Sequence, residues 1–381
     1  MPDQPSLLSN AAVILPDRVH RGWVALRDGA IAELGEGRPP ERGLDLEGDF
    51  LLPGLVELHT DHLESHHTPR PGVRWHALAA VLAYDAQIAA SGITTVFDSL
   101  RAGSDSDGGG AGAELLRLAE ALAQAREAGL FRCEHRLHLR CEVPAPDVVP
   151  VLRGFAARFP VHLLSLMDHT PGQRQFRDLD KYHAYYTRRS GRPPAEIGAL
   201  AARKIAEGSA WSATNRPALL DFARNSGVAL ASHDDTTLDD VAQSVAEGVA
   251  LAEFPTTAEA AAACRDAGIQ VMMGAPNLIR GGSHSGNVAA ADLAPEGMLD
   301  ILSSDYVPGS LLLAAFGLPE QVPGMTLPQA VATVTRAPAR AAGLHDRGEI
   351  APGRRADLVR VRLAGDMPVV RQVWRGGARV F

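Results

Sequence analysis

A histidine and an aspartate two residues apart, His59 and Asp61, follow the apolar run Leu55 to Leu58 near the start of the chain. Side chains in an extended strand alternate between two faces, so residues two apart point the same way. Imidazole and carboxylate groups are both ligands of zinc and similar cations. The pair therefore predicts part of a metal site, although an isolated His-x-Asp is more often a solvated strand end.

Other metal-capable side chains come at the ends of further strand-sized apolar runs. Active sites of parallel barrels are built at the carboxyl ends of the strands, so we expect these side chains to meet. We interpret six residues as ligands of one or two divalent ions, with zinc favoured and manganese or another dication as alternatives: His59, Asp61, Glu142, His169, His233 and Asp305. A bound metal lowers the pKa of water, and we assign Asp305 as the catalytic residue that accepts the proton.

Three neighbouring polar residues receive a structural interpretation. His138 shares a strand face with Glu142, so it either supports the site or packs inside the barrel. Asp168 and Asp234 adjoin ligand candidates and point to the opposite side if their strands stay regular. We expect both to have orienting or structural roles.

The loops that follow the strands supply groups suited to anions. Arg280 begins the segment Arg-Gly-Gly-Ser-His, in which glycines let backbone N–H groups approach an anion and the serine and histidine add donors. We expect Arg280, Gly282, Ser283 and His284 to bind an anionic substrate. Arg174, after the fourth strand, is a further candidate, although a surface ion pair explains it equally well.

Eight strand-sized apolar runs must position these residues, and Ala-rich helical stretches separate them. Their apolar character is continuous rather than alternating, as in strands covered on both faces. The rhythm predicts an α/β protein with a (β/α)8 TIM-like barrel. The runs are 55–61, 94–99, 136–143, 162–169, 228–234, 249–255, 270–275 and 299–305. Residues 171–227 form an insertion-sized stretch, of the kind that supplies lids and binding loops.

Both ends of the chain carry short strand-like segments between Gly-rich turns. We expect residues 1–52 and 346–381 to form one small composite β-sandwich lobe and residues 53–345 to form the metal-dependent barrel. A chain of 381 residues suits a barrel with such an accessory lobe.

Composition narrows the function classes. The net charge of -8 argues against a nucleic-acid partner. No apolar run has membrane-spanning length and no signal segment begins the chain, so we expect a cytoplasmic protein without a membrane partner. Three cysteines without a Cys-x-x-Cys pair fit reduced core thiols. A homodimer is the default expectation for assembly.

The set of strand ends resembles the amidohydrolase superfamily, whose barrels carry paired ligands on strand 1, imidazoles and an acidic bridge on middle strands, and an aspartate on strand 8. Gly348 to Val359 resembles the closing signature of that superfamily. Three departures stand out: Asp61 replaces the usual second histidine, strand 6 lacks a histidine, and no lysine ends a strand. The resemblance implies that Glu142 takes the place of the bridging lysine.

Longer blocks resemble one diphosphatase family within that superfamily, and they include Glu134 to Glu142, Ser165 to Phe176, Gly274 to Asn287 and Ile301 to Tyr306. This resemblance implies an anionic substrate, α-D-ribose 1-methylphosphonate 5-triphosphate, hydrolysed to the 5-phosphate and pyrophosphate in phosphonate catabolism. Two alternatives stay open. A deacetylase or cyclic amidase would use the same metal ligands but would not need loop arginines. A non-catalytic assembly partner would have lost metal ligands.

Overall fold

The computed structural model describes residues 6–104, 111–283 and 286–381. Its strands are β1 (Leu7–Ile14), β2 (Val19–Arg27), β3 (Ala30–Glu36), β4 (Leu44–Asp45), β5 (Phe50–Pro53), β6 (Leu55–Thr60), β7 (Ile93–Ala102), β8 (Glu134–Glu142), β9 (Leu163–Met167), β10 (Ala229–His233), β11 (Leu251–Glu253), β12 (Gln270–Gly274), β13 (Ile301–Ser303), β14 (Leu358–Ala364), β15 (Met367–Arg375) and β16 (Ala378–Arg379).

The helices alternate with the strands through the middle of the chain, and a 3-10 turn at Arg174–Phe176 precedes the fifth. They are α1 (His62–His67), α2 (Ala77–Ala90), α3 (Ala111–Glu127), α4 (Val148–Ala156), α5 (Leu179–Ser190), α6 (Pro194–Ser226), α7 (Leu238–Glu247), α8 (Ala258–Asp266), α9 (Ala275–Arg280), α10 (Ala290–Leu293), α11 (Ser310–Gln321), α12 (Leu327–Ala332) and α13 (Arg336–Ala341). Within the described ranges, no helix combines the length and the apolar character needed to cross a membrane.

Strands β6 to β13 form one sheet in sequence order, with parallel pairing throughout. The sheet closes through a parallel bridge between Thr60 and Asp305. The buried carboxylate of Glu57 reinforces this seam, because it accepts hydrogen bonds of 2.6 Å from the backbone N–H groups of both His59 and Ser304. The predicted (β/α)8 barrel is confirmed, and each of its eight strands overlaps the predicted apolar run.

The two chain ends form a second, mixed sheet in the order β16-β15-β14-β5-β1-β2-β3. Strand β1 also pairs with the short β4 at Leu8. One edge of β1 therefore pairs with β4 along part of its length and with β5 along another part. Leu8, Val24 and Trp374 are among the buried residues of this lobe. The predicted lobe built from both ends is therefore confirmed, and its described strands belong to a single sheet.

Residue Gly54 alone separates β5 of the lobe from β6 of the barrel. A Cβ atom at Gly54 would lie 2.2 Å from the hydroxyl of Thr94, so this crossing needs glycine. A charged cluster holds the two parts together nearby. Glu134 of β8 pairs with Arg347, at 2.7 Å, and with Arg355. The first barrel strand thus begins from a firmly attached lobe.

Candidate active site

The carboxyl ends of the barrel strands surround a cavity of about 460 Å³. Of the described residues, seven strand ends contribute to its wall, as expected for a parallel barrel. The polar lining residues include His59, Asp61, Arg140, His169, Gln175, Tyr185, His233, Asp234, Asn277, Arg280, Ser283, Asn287, Asp305 and Tyr306. Gln175 and Tyr185 come from the stretch between β9 and β10, so this insertion forms one wall of the cavity.

Three imidazoles in the wall each have Nδ1 beside a carboxylate. Nδ1 of His233 hydrogen-bonds to Oε2 of Glu253 across 3.1 Å, and Nδ1 of His169 hydrogen-bonds to Oε2 of Glu142 across 2.8 Å. Nδ1 of His59 lies 3.1 Å from the same Oε2 of Glu253. For His169 and His233, the hydrogen bond to a carboxylate keeps the proton on Nδ1 and leaves the Nε2 lone pair available to a metal.

Burial determines the charge of two of these rings. It lowers the pKa of His59 and that of His233 to about 3, because removal from water disfavours the imidazolium form. Both rings are therefore neutral at neutral pH, the state that metal ligation requires.

His169, His233 and Asp234 could together hold a metal ion, since they offer ligand atoms that all lie within 4.8 Å of one another. Oδ2 of Asp234 is buried, has no hydrogen-bond partner among the described residues, and lies 3.3 Å from Nε2 of His233. A buried carboxylate oxygen in this state needs a positive partner. The residues present therefore fit a divalent cation, and this donor set suits zinc or another first-row dication.

Asp234 was expected to point away from the site, and that prediction is wrong. Its backbone φ is 56°, and the φ of Asp305 is 52°, so both residues leave regular strand geometry at the barrel rim. Alternation of side chains holds only where a strand remains extended. Both carboxylates line the cavity, and burial raises the pKa of each to about 7.

A second group of donor atoms, from His59, His138 and Glu253, lies beneath the cavity. His138 uses both of its nitrogens inside the barrel: Nδ1 contacts the Leu58 carbonyl oxygen at 2.9 Å, and Nε2 contacts the Ser165 hydroxyl. Neither His138 nor Glu253 lines the cavity. This buried network positions the imidazoles above it, which agrees with the supporting role considered for His138.

Five of the six expected ligands line the cavity: His59, Asp61, His169, His233 and Asp305. Glu142 lies beside the cavity instead. It accepts hydrogen bonds from the backbone N–H of His169 at 3.0 Å and from Nδ1 of that ring, and Arg101 lies 3.4 Å away. Burial alone would raise the pKa of Glu142, but His169 and Arg101 hold it well below its usual value.

The structure brings Arg280, Gly282 and Ser283 to the cavity wall, as expected. His284 lies outside the described residues. The backbone N–H groups of this loop were expected to bind the anion, but those of Gly281 and Gly282 are already used. They donate to the Leu278 and Asn277 carbonyls at the C-terminal end of α9. An anion at this loop would meet side chains rather than these two N–H groups.

Arg174 does not line this cavity. It is buried, with hydrogen bonds of 2.9 Å to the His233 carbonyl oxygen and 2.7 Å to the Asp235 carboxylate. The structure thus places Arg174 behind the end of β10, where it supports the backbone that carries His233 and Asp234.

Sequence reasoning missed Glu253, Arg140 and the wall formed by Gln175 and Tyr185. Glu253 lies near the end of the sixth predicted run, 249–255, where a carboxylate is also a metal-capable group, so its position carried a signal. Arg140 precedes Glu142 by two residues, and the alternation rule places both on one strand face. No sequence signal identified Gln175 or Tyr185.

Comparisons with known proteins agree with this architecture. Residues 213–381 match the model of an amidohydrolase family. In solved structures, the chain resembles N-acetyl-D-glucosamine-6-phosphate deacetylase from Mycobacterium smegmatis, with a TM-score of 0.64, 20% identity, and coverage of 98% of this chain and 99% of that one. It also resembles 5-methylcytosine deaminase from Klebsiella pneumoniae, with a TM-score of 0.65, 15% identity and 98% coverage of both chains. These likenesses show a shared fold.

A curated relative is much nearer in sequence. The α-D-ribose 1-methylphosphonate 5-triphosphate diphosphatase of Escherichia coli strain K12 is 47% identical over 378 residues, which cover 98% of this chain and 100% of the relative. The chain therefore belongs to the α-D-ribose 1-methylphosphonate 5-triphosphate diphosphatase family, within the amidohydrolases.

Proposed function

We propose that the protein hydrolyses α-D-ribose 1-methylphosphonate 5-triphosphate to the 5-phosphate and pyrophosphate, in phosphonate catabolism. The observation that carries this proposal is one cavity that combines a metal-binding donor set with the guanidinium groups of Arg140 and Arg280. A triphosphate brings several negative charges, which require both a cation and further donors. The diphosphatase name of the 47% identical relative supports the same reaction.

For the metal, we propose one or two divalent ions, zinc in the first place and manganese as an alternative. His169, His233 and Asp234 would hold one ion, and His59, Asp61 and Asp305 offer ligand atoms in the same cavity. When bound, the ion supplies Lewis acidity and lowers the pKa of water. Glu142 would orient His169 by the hydrogen bonds already described, which replaces the direct ligation expected for it.

We propose that the carboxylate of Asp305 accepts the proton of the attacking water. Burial raises the pKa of Asp305 to about 7, so this group can both accept and release a proton near neutral pH. Its backbone N–H donates to the His59 carbonyl oxygen across 3.2 Å, which holds Asp305 beside the first strand. Arg280 and Ser283 would bind phosphate oxygens at the loop side of the cavity, and His284 stays a prediction for the same role.

The remaining features are proposals of the same kind. We propose a cytoplasmic protein, a homodimer, and a division into a lobe of residues 1–52 and 346–381 and a barrel of residues 53–345. The net charge of -8 supports a small-molecule substrate over a nucleic acid.

Phosphorus NMR of the purified protein tests the reaction. The ribose methylphosphonate triphosphate is incubated in oxygen-18 water, with ATP and an N-acetylated amino sugar phosphate as controls. We expect pyrophosphate from the first substrate, and the position of the label identifies the phosphorus that water attacks. Survival of that triphosphate with metal bound, together with release of acetate from the amino sugar phosphate, would replace this proposal with amide hydrolysis.

A further inference from the structure

Arg140 lies on β8 with its side chain directed into the cavity, and only 15% of that side chain is exposed. Its Nη1 is 3.4 Å from Oδ2 of Asp61, and its Nε is 3.5 Å from the sulfur of Met167. Asp61 and Asp305 line the same cavity. The guanidinium is therefore part of the cavity wall beside two of the proposed metal ligands.

These contacts leave the guanidinium incompletely satisfied. Charge-assisted N–H to carboxylate bonds are typically about 2.7 to 2.9 Å long, so the contact with Asp61 is a weak one. Sulfur is a weak acceptor. Nη2 of Arg140 makes no hydrogen bond with the described residues. Removing a guanidinium from water costs free energy when some of its N–H groups stay unpaired, and an anion that accepts from them offsets that cost.

Other arginines near the site do not offer the same group to the cavity. Arg174 is turned toward Asp235, and Arg101 contacts Glu142 outside the cavity wall. Arg280, the other arginine of the described lining, is exposed at the end of α9. Arg140 is thus the less exposed of the two arginines in the described lining, and its one carboxylate contact, with Asp61, is weak.

We propose that Arg140 is a catalytic residue that binds a non-bridging oxygen of the phosphate group under attack. This inference rests on the proposed function, because it requires a phosphoric anhydride substrate. A planar guanidinium presents two parallel N–H donors to phosphate oxygens and cannot lose its proton at physiological pH. Preorganised donors of this kind stabilise the charge that develops in the transition state. A neutral amide carries no anionic oxygen before water attacks, whereas a triphosphate carries several, so Arg140 favours a phosphate substrate on this barrel.

The Arg140→Ala and Arg140→Lys variants test the inference in the metal-loaded enzyme. We expect kcat/KM to fall on the order of 100-fold in Arg140→Ala, mainly through kcat, and less in the lysine variant. Free guanidinium should restore part of the activity of Arg140→Ala. Metal content should stay at the wild-type level.

The control is Arg216→Ala, which removes a half-buried arginine paired with Glu247 at 2.6 Å, outside the cavity wall. Its activity should be unchanged and insensitive to guanidinium. The inference is overturned if Arg140→Ala keeps activity within about three-fold of the wild type, or if its loss accompanies metal loss without guanidinium rescue. Activity of the wild-type protein on the triphosphate tests the proposed function separately, so the two failures are distinguishable.

Discussion

Oε2 of Glu253 hydrogen-bonds to Nδ1 of His233 across 3.1 Å, directly beneath the cavity. We expect Glu253→Gln to lower metal affinity by about 10- to 100-fold, because a neutral amide oxygen accepts the Nδ1 proton more weakly than a carboxylate does. Metal titration followed by kcat at saturating metal measures the effect. Glu247→Gln, which changes a carboxylate outside the cavity, is the matched control. Unchanged metal affinity in Glu253→Gln would contradict an orienting role.

Replacement of the proposed proton acceptor should separate chemistry from binding. In Asp305→Asn we expect kcat to fall by about 10²- to 10⁴-fold, while the fold and part of the metal remain. Circular dichroism, metal analysis and steady-state kinetics check the three properties. Asp300→Asn alters a carboxylate that pairs with Arg265 and should retain activity. An Asp305→Asn variant with normal turnover would remove this residue from the mechanism.

Removal of the metal should abolish activity and lower stability together. A cation that binds only the folded state stabilises it by about 2.7 kcal/mol when its concentration is 100 times the Kd. We therefore expect a chelator to eliminate turnover and to lower the melting temperature, and zinc or manganese to restore both. Thermal denaturation and product release, measured on the same samples, provide the comparison. Full activity after verified metal removal would exclude a metal-dependent reaction.

Arg280→Ala should weaken substrate binding more than chemistry. Arg280 lines the cavity and is exposed, so we expect the hydrogen bonds proposed between it and phosphate to act equally on the bound substrate and on the transition state. Loss of a hydrogen bond to a charged group costs about 1.5 to 3 kcal/mol, which corresponds to a rise in KM of about 10- to 100-fold. Steady-state kinetics at two salt concentrations measures it. A fall confined to kcat would assign Arg280 to the reacting phosphate instead.

Stability should decrease between pH 6.5 and pH 9 because of a buried histidine distant from the metal donors. His135 lies between Asp98, at 3.0 Å, and Asp85, at 3.2 Å. Burial alone would lower its pKa, but the two carboxylates raise it from 6.5 to about 9. Its stabilising contribution is complete below pH 6.5 and is lost as the pH rises through 9.

Denaturant unfolding at several pH values checks this dependence. In that window the folded state holds one more proton at His135, so the free energy of unfolding should fall by at most about 1.4 kcal/mol per pH unit. The His135→Gln variant should be less stable at pH 6.5 and should show a flatter profile. An identical slope in this variant would assign the dependence to other groups.

Much of the barrel could be predicted from the sequence because parallel strands covered on both faces appear as continuous apolar runs. The predicted runs 55–61, 228–234 and 299–305 identified strand ends, and strand ends of a barrel converge. Five expected ligands therefore reached one cavity without any knowledge of the connecting helices.

The site predictions that differ from the structure do so for local physical reasons. Asp234 was assigned to the wrong side because its left-handed backbone interrupts the alternation of side chains. Arg174 was expected either to bind substrate or to form a surface ion pair, whereas it is buried and Asp235, 61 residues away, accepts its hydrogen bond. The glycines after Arg280 were expected to bind an anion, but their N–H groups end a short helix. Such details depend on tertiary contacts that no local pattern encodes.

The seam between Thr60 and Asp305 joins parts of the chain 245 residues apart, and it lies within the proposed active site. During synthesis, the ribosome delivers the first strand long before the eighth. Until the eighth strand arrives, Glu57 lacks the Ser304 N–H group and His59 lacks the neighbour that carries Asp305. A nascent or partly folded chain therefore cannot assemble the full set of catalytic groups.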